Sequence, residues 1–312
     1  MAKDKDEFKK NNKRFTKLST GDVVFNIVNY TVFGVFTFLC VFPFYYLFIN
    51  TISDNQLSAL GDIMLYPKGI HFNNYVDVLK IQNIGRATFV SLFRTVVGTT
   101  LMVGASAVCG YFFTKDDMWK RKFWYRYVIV TMYINAGIIP WYITMRTLHL
   151  TNNILAYVIP TIVSPYNIIL VKTFIESVPP SLEESAKLDG AGYLTILFKI
   201  IMPLIKPILA TITIFGAVGQ WNAFTDTLFL MSDAKYFTLQ FLLYRYLNEA
   251  NSLAALLKSD PRLMENIDLA AVQTPDSVRM TITMVVVLPI LFVYPFFQRY
   301  FVQGIMIGAV KG

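Results

Sequence analysis

The feature that most constrains this chain is a set of six apolar blocks, near residues 23–51, 88–113, 127–145, 154–171, 207–231 and 280–298. A bilayer core of about 30 Å is crossed by about 20 helical residues, and each block meets or approaches that length. In lipid every backbone N–H and C=O must be satisfied by protein, so only helices and closed barrels span. The blocks are continuous rather than alternating, which selects helices over barrel strands. Composition agrees. Hydrophobic residues make up 55% of the 312 and charged residues 15%, with a mean hydropathy of +0.48, short of the charged surface a soluble domain of this size carries. The expected fold is therefore all-α, integral to the membrane, with six transmembrane helices. The first block reads as an uncleaved span, because its apolar run is too long for a signal-peptide core and no A-x-A-like cleavage site follows.

The net charge of +8 follows membrane topology rather than a nucleic-acid patch. With the N-terminus inside, 18 of the 28 Lys and Arg residues fall on segments 1–22, 115–126, 172–206 and 299–312. Nine fall on the opposite segments 52–87, 146–153 and 232–279, and Arg94 lies within a block. The excess marks the first set as cytoplasmic, most sharply at Lys120, Arg121, Lys122 and Arg126. Both termini are then expected in the cytoplasm, with 1–22 a basic N-terminal segment, 52–87 and 232–279 extracellular loops, and 299–312 a C-terminal tail.

The most informative cytoplasmic stretch is ESVPPSLEESAKLDGAG, from Glu176 to Gly192. Pro179 and Pro180 end the preceding helix, and Ser181 with Glu184 has the spacing of a capping box for a new one. That helix runs about two turns to the stop at Asp189-Gly190. A second helix is expected from about Ala191, with Pro203 and Pro207 marking the return to the membrane. Local physics leaves two readings open: an ordinary connection between spans, or a compact helical element exposed to a partner.

The longer run EESAKLDGAGYLTILFKIIMP resembles the EAA signature of ABC importer permeases, matched at Glu184, Ser185, Ala186, Gly190, Ile200, Met202 and Pro203. Ser185 stands where the family has Ala, and Met202 where it has Leu. The segment GIIPWYITMRTLHLTNNILAYVIP, the pair Trp221-Asn222 and the ending QRYFVQGIMIGAVKG are similar to the carbohydrate-uptake branch of that family, and the resemblance runs from about Asn74 to Gly312. It implies a maltose-type, type I ABC importer permease fold, like complex-oligosaccharide permeases of Gram-positive bacteria. The importer core would occupy 88–298, with the EAA loop at 181–203. It further implies docking of that loop on a cytoplasmic ATPase through Glu184, Ser185, Ala186, Asp189, Gly190, Ala191 and Pro203. The implied partners are a second homologous permease, two ABC ATPase subunits, an extracellular substrate-binding protein and a carbohydrate, surrounded by membrane lipid and without nucleic acid. ATP and Mg would belong to the ATPase subunits. The tail would reach the ATPase interface, and the loop 232–279, whose NEANSLAALLKSD reads as helical, would face the binding protein.

Within the apolar blocks, Trp221 and Asn222 are candidates for a sugar path, although packing accounts for them equally well. Arg94, near the outer end of its block, is expected to snorkel to the headgroups. Gly104, Ala105, Ala107 and Gly110 form a small-residue face for close helix approach. Cys40 and Cys109 have no metal or disulfide spacing, and His71 and His149 lie far apart. No cofactor is expected in the chain. It has no G-x-x-x-x-G-K-[ST] loop, since Gly98–Ser106 lacks the lysine, and no nucleophile–base constellation. It is therefore read as a non-enzyme. Two other classes compete with the permease reading: an ion-driven secondary transporter, which the near absence of carboxylates within the blocks disfavours, and a membrane sensor.

Overall fold

A computed structural model describes residues 19–248 and 275–309. Among these residues the secondary structure is entirely helical, as backbone satisfaction in lipid demands. The basic segment before Ser19 and nearly all of the NEANSLAALLKSD stretch lie outside the described residues.

Helix α1, Thr20–Thr51, is a 32-residue apolar rod. Its side chains are exposed along most of its length, with only Ile49, Asn50 and Thr51 buried. There Asn50 and Thr51 anchor the following loop: Ser58 donates to Asn50 Oδ1 at 2.7 Å, and Asn74 Nδ2 donates to Thr51 O at 3.0 Å. Short helices α2 (Asn55–Ala59) and α3 (Asn73–Lys80) carry that loop to α4, Ile84–Phe112. Helices α1 and α4 are each long and apolar enough to cross a bilayer.

Three of the four remaining apolar blocks are interrupted where continuous spans were expected. Block 127–145 divides into α5 (Arg121–Tyr133) and α6 (Ile138–Thr147), because Asn135 and Gly137 supply a turn that apolarity does not reveal. Block 154–171 begins as two 3₁₀ turns, Ile154–Tyr157 and Ile159–Thr161, and bends by 43° into α7, Pro165–Ile175. After α8 (Ser181–Leu188), α9 (Tyr193–Leu204) meets α10 (Lys206–Asn222) at 82°. Pro207 lacks the N–H that would continue the ladder, so the chain turns at Ile205. Block 207–231 stops at Asn222, and α11 (Thr225–Leu230) follows as a separate turn. Helix α12 covers 239–248. Helix α13, Pro275–Ala309, runs through Pro289 and Pro295 and continues into what was read as a separate tail.

Three apolar clusters hold these pieces. One joins Tyr111 of α4 to Val171 and Ile175 of α7, Ala186 of α8 and Ile196, Leu197 and Ile201 of α9. The second, towards the other end of α4, gathers Val90, Met145, Leu150, Tyr157 and Leu230. The third packs Trp221 among Val78, Ile84, Leu239, Ile282 and Val286. The small-residue face expected on α4 is used at Ala107, which is buried, and at Gly110. A Cβ on Gly110 would stand 2.8 Å from Val171 Cγ1 and 3.1 Å from the backbone N of Lys172, whereas one on Gly104 meets nothing within 4 Å.

Loops assigned by charge to one side of the membrane are also joined in space. Asn152 donates to Ser232 Oγ at 2.6 Å and accepts from the Ser232 and Asp233 N–H groups, while Arg86 donates to Lys235 O at 3.1 Å. On the opposite side Tyr193 donates to Asp117 at 2.5 Å.

The α4–α7 contact yields a test. Gly110→Ala should destabilise the folded chain by about 1–3 kcal/mol, as overpacking does, while Gly104→Ala should leave it within about 0.5 kcal/mol of the parent. Thermal unfolding of the detergent-solubilised chain compares them.

Candidate functional site

Of the signature residues, Glu184, Ser185 and Ala186 lie on α8, Gly190 lies in the turn after it, and Ile200, Met202 and Pro203 lie on α9. Pro180 sits at φ −63°, ψ −25°, already helical, and serves as the N-cap. The Pro180 carbonyl accepts from the Glu183 and Glu184 N–H groups at 3.0 Å each. Helix α8 therefore starts one residue earlier than a capping box at Ser181 requires, and no side-chain cap forms. Ser181 is a first-turn residue instead. Glu183 and Glu184 lie in the first turn and Lys187 in the last, each complementing the helix dipole.

The helix ends in a Schellman motif. Gly190 N donates to Lys187 O at 3.0 Å, and Ala191 N to Ala186 O at 2.9 Å. Gly190 takes φ +80°, a conformation that costs an ordinary L-residue about 1–2 kcal/mol. Among the described residues nothing lies within 4 Å of where its Cβ would be. The turn thus needs glycine for its backbone and leaves the space beside it empty.

Two faces of α8 differ. Ala186 is buried against Tyr111, Val171 and Ile196, and Ala191, Ile200 and Met202 pack at the edge of the same cluster. Glu183, on the inward side, pairs with the buried Lys115 and with Lys187, the latter at 3.4 Å. Burial pushes the Lys115 ammonium below the ordinary lysine value, and its hydrogen bond to Glu183 pulls it partly back. Glu184, Ser185 and Asp189 point to solvent, with Leu188, which is 89% exposed. Pro203 stands apart from these, exposed in α9 just before the bend.

The sugar-path candidates separate. Trp221 is buried in the third apolar cluster and donates from Nε1 to Val286 O at 3.0 Å. Asn222 is exposed at the end of α10. Among the described residues no group of three or more His, Cys, Asp or Glu is placed to hold a metal ion.

A second polar site was missed in the sequence. Arg94 is 1% exposed and does not snorkel. It starts a π-helical turn in α4, Arg94–Gly98, and reaches the break between α10 and α11. Its guanidinium forks onto Asp226 at 2.6 and 3.1 Å, donates to Ala223 O at 3.0 Å and Gln220 Oε1 at 3.1 Å, and lies over the Tyr157 ring at 4.5 Å. Gln220 passes the chain of bonds to Thr161 at 2.7 Å. The available signal was an opposite charge in another apolar block, since ionisable groups at membrane depth pair with one another.

An all-helical chain with spans, interrupted apolar segments and a capped helix at one end belongs to the class of membrane-embedded transport subunits. The particular family follows from direct comparison. Residues 15–307 match the family described as binding-protein-dependent transport system inner membrane component, and the chain belongs to it. It is 31% identical over 289 residues to Protein LplC of Bacillus subtilis, covering 93% of this chain and 95% of that protein. It is 29% identical to the polygalacturonan/rhamnogalacturonan transport system permease YtcP of the same organism, over 93% and 99% of the two chains. Among solved structures it resembles a chain of a bacterial ABC transporter that imports the acidic polysaccharide alginate, with a TM-score of 0.80 and 30% identity over 91% of this chain and 98% of the other.

The Arg94 site predicts a sharp asymmetry. Arg94→Ala, which strands Asp226, should cost about 3–5 kcal/mol, and Arg94→Met with Asp226→Leu should recover only part of it, because the Ala223 carbonyl and Gln220 still lose their donor. Folded yield and unfolding temperature of the purified chain report the difference.

Proposed function

We propose that this chain is one of two permease subunits of an ATP-driven carbohydrate importer, with six spans, both termini cytoplasmic, and the loop 181–203 as the contact with an ATPase. The observation that carries this reading is the exposed face of α8. A two-turn helix with its glycine turn formed, an apolar Leu188 in solvent and vacant space beside Gly190 has the form of a surface awaiting a partner. The six-span count treats each interrupted block as one crossing, and the cross-loop bonds of Asn152 with Ser232 and of Tyr193 with Asp117 support the alternation that charge implies.

In this reading Glu184, Ser185, Asp189 and Gly190 contact the ATPase, with Ala186 and Ala191 seating α8 on the bundle and Pro203 preceding the bend into α10. Closure of an ATPase dimer that binds ATP and Mg would move α8, and α9 and α10 would convert that motion into a change between two packings of the bundle. The domain limits 23–51, 52–87, 88–298 and 299–312 divide the chain into first span, extracellular loop, importer core and cytoplasmic tail. The loop 232–279 faces the extracellular binding protein. The carbohydrate class is supported by relatives whose names concern polygalacturonan and arabinooligosaccharides. An oligosaccharide derived from such polymers is the proposed cargo.

Gly190→Asp is the discriminating variant. Its backbone strain of about 1–2 kcal/mol is too small to unfold the chain, so loss of ATPase co-purification and of ATP-driven uptake is expected. Intact assembly and uptake would contradict the docking role. For the cargo, the binding protein that co-purifies with the complex should retain members of a panel of arabino-, galacturono- and alginate oligosaccharides by calorimetry. Retention of none would refute the carbohydrate assignment.

A further inference from the structure

We propose that Lys115 and Asp117, in the loop that follows α4, are positioning residues that clamp the start of α8 and, across its glycine turn, the start of α9, and so make α8 a rigid lever. The proposal rests on the reading of α8 as the contact with the ATPase.

The clamp is needed because the apolar seat of α8 is small. Within Ser181–Leu188 only Ala186 is buried, and one methyl group cannot fix the direction of a helix. Polar contacts complete the attachment, and they come from one short loop. Lys115 reaches Glu183 in the first turn of α8. Asp117, two residues on, accepts the Tyr193 hydroxyl at 2.5 Å, just past the glycine turn. Lys187 closes the ring, 3.4 Å from Glu183 and 5.4 Å from the centre of the Tyr193 ring. The start of α8 and the start of α9 are thus held by groups two residues apart.

The loop is itself held in place. Thr114 Oγ1 donates to Tyr111 O at 2.6 Å, Arg121 donates to Thr114 O at 3.1 Å, and Arg121 pairs with Asp116 at 2.8 Å. Lys115 Nζ also lies 4.0 Å from the centre of the Tyr111 ring, which ties the clamp to the last turn of α4. The Lys115 and Glu183 side chains are only 9% and 17% exposed, so water screens their attraction less than at an open surface. Displacement of α8 is thereby passed to α4 directly, in addition to the path through α9.

The test uses the assembled complex, with partner permease and ATPases, in lipid nanodiscs. ATP hydrolysis is measured without and with the co-purifying binding protein, alongside the unfolding temperature of the complex. Lys115→Met, Glu183→Gln and Tyr193→Phe should leave the ATPases bound; the two charge changes should lower the unfolding temperature, and Tyr193→Phe should leave it near that of the parent. Each should lower the stimulation by the binding protein at least about fivefold, the lower end of ordinary coupling between sites. The double variant Lys115→Met/Glu183→Gln should lose no more than either single change, as a pair acting as a unit does. Unchanged stimulation in these variants, or losses that multiply in the double variant, would overturn the clamp. Should Lys115→Met fail to assemble, Tyr193→Phe, which strands no charge, decides the matter by the same criterion. Leu188→Asp on the exposed face separates the two levels. If it abolishes assembly while the clamp variants leave stimulation unchanged, the docking reading stands and the clamp falls. If it changes nothing, the docking reading falls, and the clamp with it.

Discussion

Wherever an apolar helix of this chain breaks, the backbone groups freed by the break must find a partner in the protein, because lipid offers none. The break after Asn222 exposes the carbonyl of Ala223, and Arg94 donates to it. The same guanidinium satisfies Gln220 and Asp226, so one side chain closes off the end of α10 and the start of α11. That requirement explains why a fully buried arginine is tolerated at all. Buried ion pairs are weak sources of net stability, but they penalise alternative arrangements heavily. Here the π-turn at Arg94–Gly98 brings the Arg94 side chain against Asp226 of α11.

At the opposite end of the bundle the same logic runs on a smaller scale. The turn after α8 satisfies its freed carbonyls through the Schellman bonds of Gly190 and Ala191, which lets α8 stop sharply and α9 leave in a new direction. The apolar cluster around Tyr111, Val171 and Ile196 then receives Ala186, while Glu184 and Leu188 stay in solvent. Attachment and presentation are therefore carried by different faces of one short helix. In the proposed coupling to an ATPase, a rigid element with one face fixed and the other free would transmit motion between subunits.

Much of this was legible in advance where it depended on neighbours in sequence. The helical class followed from block length, α8 from its prolines and Asp189-Gly190, and the small-residue contact of α4 from Gly110. The errors share a cause. Ser181 was read as a cap because spacing does not show that Pro180 is already helical. Block 127–145 was read as continuous because Asn135 and Gly137 barely lower its hydropathy. Arg94 was sent to the headgroups because its partner Asp226 lies 132 positions away, and nothing local connects them.

By itself, then, the sequence determined what must leave water and what must turn: which segments are helical and apolar, which loops carry the positive excess, and where a glycine is obligatory. These are properties of single segments in a uniform solvent. Only the tertiary structure decided which breaks are tolerated, that Arg94 answers the α10–α11 interruption, and that the loop at Lys115 and Asp117 reaches Glu183 and Tyr193. Those outcomes rest on pairings between distant segments, whose electrostatic and packing terms do not exist until the helices are side by side.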